Sequence, residues 1–144
     1  MNLEAIDFGM RTLLAILAGG IAYYMLGALW YMKLFGERWI AATGRTKEEI
    51  QGDAVGAEML LTLAGAMLAT TVLAVVFQWG GGASPVDGAG VGLMVGVGVA
   101  AAEGLKQAVY NVDERVDRWA LYGINSLYAV MGLTLAGVVY ALIA

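Results

Sequence analysis

SPVDGAGVGLMVGVGVAAAEGLKQAVYN, running from Ser84 to Asn111, carries Gly88, Gly92, Gly96, Ala100 and Gly104 at intervals of four. At 3.6 residues per turn that spacing is one slowly drifting ridge along a helix, nearly free of side chains. Such a ridge lets a second backbone approach closely, so these five positions are the expected helix-packing residues. Ser84 as N-cap, Pro85 at the first helical position and Asp87 as an early acid mark where the helix begins. Near its end Glu103 and Lys106, three apart, share one face of a segment otherwise apolar enough to cross a bilayer.

The rest of the chain agrees with this reading. Of 144 residues 60% are hydrophobic and 14% charged, with a mean hydropathy of +0.74, well beyond a soluble domain. Apolar runs over about 12–33, 56–78, 86–110 and 118–143 predict four transmembrane helices. Residues 1–144 thus form a single all-α integral membrane domain, a compact four-helix bundle with the lipid bilayer as its solvent. The first run is expected to be a span and not a cleaved signal peptide, because no basic region precedes it and it is too long. Phe35 and Trp39, four apart in the stretch 34–42, predict a short helix lying in the interface after the first span. Thr46 and Glu49 form a capping box, opening a helix that stops at Gly52 or runs on into the second span. Trp30, Tyr31, Trp39, Trp79 and Trp119 flank spans and are expected as interface anchors.

Composition excludes much chemistry. There is no cysteine and no histidine, which removes disulfides, thiolate nucleophiles, imidazole bases and Cys/His metal sites. No catalytic residue, cofactor or metal is expected, and the protein is not expected to be an enzyme. Asp113, Glu114 and Asp117 are interleaved with Arg115 and Arg118 and read as a solvated turn. A net charge of −4 argues against a nucleic-acid partner.

Basic residues set the expected orientation. Lys33, Arg38, Arg45, Lys47, Lys106, Arg115 and Arg118 lie at or beside the first and third loops, against Arg11 alone on the other side. The positive-inside rule places both charged loops in the cytoplasm and both termini outside.

Within the spans the polar candidates are Glu103, Lys106, Asn125, Asn111 and Glu58. Glu103 and Asn125 each lie eleven residues from Glu114, at the turn between spans three and four. They are therefore expected at one level, about 16 Å from the turn. Three readings stay open for Glu103 and Lys106: a neutralised pair with Lys106 snorkelling, an intramembrane substrate or proton site shared with Asn125, or an oligomer contact.

The stretch GALWYMKLFGERWIAATGRTKEE, Gly27 to Glu49, resembles the opening signature of a bacterial membrane family, domain of unknown function 1761. The residues that carry the likeness are Gly27, Leu29, Trp30, Tyr31, Leu34, Phe35, Gly36, Trp39, Gly44, Thr46, Glu48 and Glu49. The closing half, with Asn111, the charged turn, Asn125 and Tyr128, is similar to that family's second half. The resemblance implies a four-span prokaryotic membrane protein, hence the bacterial inner membrane, and implies no activity. Two functions compete: an oligomeric channel or small transporter built around the polar site, or a structural subunit. The latter would dock its glycine ridges on a second copy or on a larger membrane partner.

Overall fold

The structure is a computed structural model describing residues 6–51 and 55–144; the expected helix stop at Gly52 lies outside the described residues. Among those residues every regular element is helical. They are α1 (Met10–Leu29), α2 (Gly36–Thr43), α3 (Lys47–Gln51), α4 (Val55–Trp79), α5 (Pro85–Val95), α6 (Ala102–Tyr110) and α7 (Arg118–Ile143). A π-helical turn, Trp30–Leu34, prolongs α1, and a second, Gly96–Ala101, joins α5 to α6 without a break. Four continuous helices result that are long and apolar enough to span a membrane: Met10–Leu34, Gly56–Trp79, Pro85–Tyr110 and Arg118–Ile143.

Local chemistry sets the boundaries. Ser84 and Asp87 cap α5 reciprocally, the Asp87 amide donating to Ser84 Oγ (3.2 Å) and the Ser84 amide to Asp87 Oδ2 (2.9 Å). Thr46 and Glu49 do the same at α3, at 2.8 and 3.2 Å. The Asp117 side chain accepts from the Ala120 amide (3.0 Å) to start α7. Gly44 ends α2 at φ +68, where a β-carbon would sit 2.4 Å from the Arg115 carbonyl oxygen.

That approach also joins the two charged loops, and the Asp117 amide donates to the Ala42 carbonyl (2.9 Å) beside it. At the opposite end the Asp7 amide donates to Gln78 Oε1 (2.7 Å), and Arg11 Nε donates to the Ile143 carbonyl (2.6 Å). Loops one and three thus share one end, and the termini and loop two share the other. Successive spans run antiparallel.

α7 is the central element, packed against α5 and α1, while α4 leans on α1. Ala15, Ile16, Ala74, Phe77 and Tyr140 form a core towards the terminal end. There Gln78 Nε2 donates to the Tyr140 hydroxyl (3.0 Å). Towards the charged loops the bundle opens. Residues 56–62 of α4 are exposed, and Gly65 has open space around it.

The glycine ridge faces this chain's own α7, not a second protein. A β-carbon at Gly88 would lie 2.2 Å from the Gly137 carbonyl oxygen, at Gly92 2.2 Å from that of Leu133, and at Gly96 2.8 Å from Val130 Cα. Each four-residue step on an α-helix overshoots a full turn by about 40°, so an unbroken ridge would drift off its partner. The turn at Gly96–Ala101 takes up that drift by adding a residue, as a π-bulge does. Gly104 consequently faces Ser126, whose hydroxyl would be 3.2 Å from an added β-carbon, and Ala108 is buried one turn later. Ala100 lies within the π turn, half-buried.

Candidate functional site

The first π turn builds the site. It sets two adjacent residues of α1's extension on two adjacent residues of α7. The Trp30 indole donates to the Ile124 carbonyl (3.1 Å), and the Tyr31 hydroxyl donates to Asn125 Oδ1 (2.9 Å). Trp30 is therefore a core residue, 4% exposed, which corrects its assignment as an interface anchor. Burial is affordable because its one polar atom is bonded. Phe35 packs on it with centroids 4.5 Å apart.

Around this seam the rings stack in sequence. Tyr128 lies 5.2 Å from both Tyr23 and Tyr31, and Tyr31 meets Trp39 edge-on at 5.6 Å. Gly27 makes room for Tyr128, since a β-carbon there would fall 2.7 Å from its hydroxyl. Tyr31, Trp39, Ile40, Ile50, Thr62 and Asn125, with Glu37 and Lys47, line a cleft of 810 Å³ between α2, α3, α4 and α7. On the other side of Asn125 a smaller cavity, 130 Å³, is lined by Gly104, Gln107, Asn111, Tyr122 and Ser126 among others. Asn125 borders both. Its oxygen is held by Tyr31, and its amide NH₂ has no hydrogen-bond partner among the described residues.

The expected site is therefore divided. Glu103 and Lys106 form an ion pair with each other on the outward side of α6, 55% and 65% exposed, and neither lines either cavity. The expectation that they meet Asn125 is corrected, because Gly104 occupies the inward position and Glu103 is rotated about 100° from it. Asn111 does structural work. Its side chain accepts from the Asp113 amide (3.1 Å) and its carbonyl from Arg118 (3.1 Å), closing the end of α6. Glu58 lies exposed on the first turn of α4, outside both cavities.

Of the remaining expected anchors, Tyr31 and Trp39 belong to the cleft. Trp79 and Trp119 are exposed at opposite ends, the Arg118 guanidinium lying 5.5 Å from the Trp119 ring centroid. In the charged turn the Arg115 guanidinium bonds both Asp113 carboxylate oxygens (3.1 and 2.8 Å) and holds that carboxyl down to about 2. Among the described residues no three Asp or Glu side chains converge as a metal site would require.

Sequence reasoning missed Tyr23, Tyr128, Thr62 and Ser126 as parts of the site. Ser126 beside Asn125, and Thr62 at the head of the four-spaced row Thr62, Ala66, Thr70 and Ala74, are the available signals. Polar side chains on an apolar helix mark the face that is not simply lipid.

The sequence was compared with known proteins. A family model, Protein of unknown function (DUF1761), matches residues 14–141. No curated protein and no solved structure matches the chain. The family match takes in the Trp30–Tyr31 seam, the cleft, the glycine ridge and nearly all of α7, so the chain belongs to the DUF1761 family, a group of proteins of unknown function.

Proposed function

We propose that this is a multi-pass protein of the bacterial inner membrane that works as a small transporter. In this reading the Asn125 cleft takes up a small polar, uncharged molecule, and the protein acts as a homo-oligomer without chemical conversion of its ligand. The observation that carries the reading is Asn125 itself. It is a polar side chain fixed at its oxygen by Tyr31, with two N–H donors left unfilled beside an 810 Å³ cleft walled largely by aromatic and aliphatic side chains. The Asn125 side chain is exposed to the cleft, so both donors are open to a ligand carbonyl or hydroxyl. Glu37 and Lys47 in the same lining offset each other in net charge, and the amide adds hydrogen bonds without charge, which favours a neutral solute. Seven of the eight basic residues lie at or near the end where Ala42 meets Asp117. The positive-inside rule therefore makes this cleft open towards the cytoplasm.

Flux measured in reconstituted vesicles tests this, using glycerol, urea and small uncharged amides as probes. Wild-type protein is expected to raise the flux of at least one, while Asn125→Leu, similar in size and without hydrogen bonds, removes the gain. Tyr31→Phe, which releases Asn125 Oδ1, is expected to weaken it. Absence of flux for every probe in correctly assembled wild-type protein, or unaltered flux in Asn125→Leu, would overturn the transporter reading and favour a structural subunit.

A further inference from the structure

The π turn that keeps Gly104 on α7 also fixes what α6 turns away from the bundle. On that outward side the Glu103–Lys106 pair is exposed, with Val99, Ala102 and Tyr110 exposed around it. The apolar helix bearing the pair ends at Tyr110, so Glu103 stands seven residues, about 10 Å, inside it. Lys106, nearer the end and on a longer stem, can lift its ammonium to the headgroups; the shorter glutamate stem cannot. One mutual contact fills one of three ammonium donors and about one of four carboxylate acceptor positions. A carboxylate at that depth belongs against protein, not lipid.

We propose that a second copy of the chain covers this face, the two related by a two-fold axis along the membrane normal. The inference rests on the spanning reading above and identifies the partner in the homo-oligomer. The argument is charge complementarity. Glu103 and Lys106 point about 60° apart around the helix, so they can flank a line facing the partner. In two parallel helices related by a two-fold axis, what lies left of that line on one copy meets what lies right of it on the other. Glu103 of each copy therefore faces Lys106 of the other, and two intramolecular pairs become a closed ring of four alternating charges. Gly98, with open space around it, lets the two helices approach on the same side.

The chain has no cysteine, so single cysteines report contact in the full-length protein, reconstituted in phosphatidylethanolamine and phosphatidylglycerol vesicles. Tyr110, seven residues from Glu103, points between the pair; Tyr110→Cys is expected to give a disulfide-linked dimer on mild oxidation, and Val72→Cys, exposed on α4, about tenfold less. In the Tyr110→Cys background, Glu103→Lys alone and Lys106→Glu alone place like charges across the axis and are expected to lower the yield about tenfold. Mixing those two variants before reconstitution pairs every positive group with a negative one and is expected to restore the dimer, whereas a pair working only within its own chain gains nothing from mixing. No dimer at residue 110, equal yield at residue 72, or no gain on mixing overturns the interface. Loss of the dimer in Glu103→Lys supports it. Vesicle flux read on the same samples separates the two readings: a wild-type monomer with Asn125-dependent flux overturns the interface alone, and a dimer without flux supports it while overturning the transporter reading. A chain that alkaline carbonate strips from the vesicles overturns both.

Discussion

Replacing Gly92 with alanine adds one methyl group within the close α5–α7 contact. Its β-carbon would stand 2.2 Å from the Leu133 carbonyl oxygen, against 3.4 Å for ordinary contact, so the helices must part by 3.4 − 2.2 = 1.2 Å. The other near neighbours are the Leu133 carbonyl carbon and Thr134 Cα, so no side-chain rotation relieves the clash. A gap of this size forfeits about half or more of each dispersion contact along the seam. Overpacking of this kind costs about 1–3 kcal/mol, and a backbone neighbour places Gly92→Ala towards the upper end. Gly90→Ala is the matched control: the same chemistry two residues earlier on α5, with nothing within 4 Å. It is expected to be neutral, or stabilising by up to about 1 kcal/mol through helix propensity. Unfolding in mixed micelles, titrated with SDS and followed by circular dichroism, measures both. Equal destabilisation by the two variants, or a neutral Gly92→Ala, would refute the close approach of α5 to α7.

A reporter fused after Ala144 is expected outside the cytoplasm and one inserted near Gly52 inside it; the opposite labelling would refute the orientation. Trp30→Phe keeps the ring but removes the bond to the Ile124 carbonyl, for an expected loss of about 1 kcal/mol. Trp30→Ala is expected to lose about 3–5 kcal/mol, and two near-neutral variants would return Trp30 to the interface. The Asp113 carboxyl, held down to about 2 from its ordinary 3.8, chiefly by the Arg115 guanidinium, stabilises the turn above its ordinary value. That contribution is lost as pH falls from about 4 through about 2. Asp113→Asn is expected to remove this acid dependence from amide exchange at Asp113–Val116, and an unchanged profile would refute the pairing.

What the sequence made legible was what local chemistry decides. The Ser84–Asp87 and Thr46–Glu49 boxes are hydrogen bonds between residues three apart, complete before any other part of the chain is consulted. The four apolar lengths follow from hydropathy alone. Trp30 shows where this stops. An aromatic pair at the end of an apolar run has the composition of an interface belt, yet π-helical geometry at Trp30–Leu34 sets the first of the pair into the core and the second on Asn125. No residue type encodes that extra residue in the turn. It depends on what α7 offers opposite.

The same physics explains why counting residues sets Glu103 opposite Asn125 while the structure turns it outward. Counting residues from a turn fixes height, because rise per residue hardly varies, whereas direction around the helix accumulates about 100° per residue and carries every irregularity forward. On a regular helix seven residues from Gly96 amount to 700°, within about 20° of two full turns, so Glu103 would have faced α7 and bordered the cavity beside Asn125. The π turn at Gly96–Ala101 adds one residue and moves Gly104 into that place. A charged pair was thereby exchanged for a glycine at the seam and delivered to the outer surface. The irregularity that spares the bundle a buried carboxylate is the one that leaves the Glu103–Lys106 pair exposed on the outer surface.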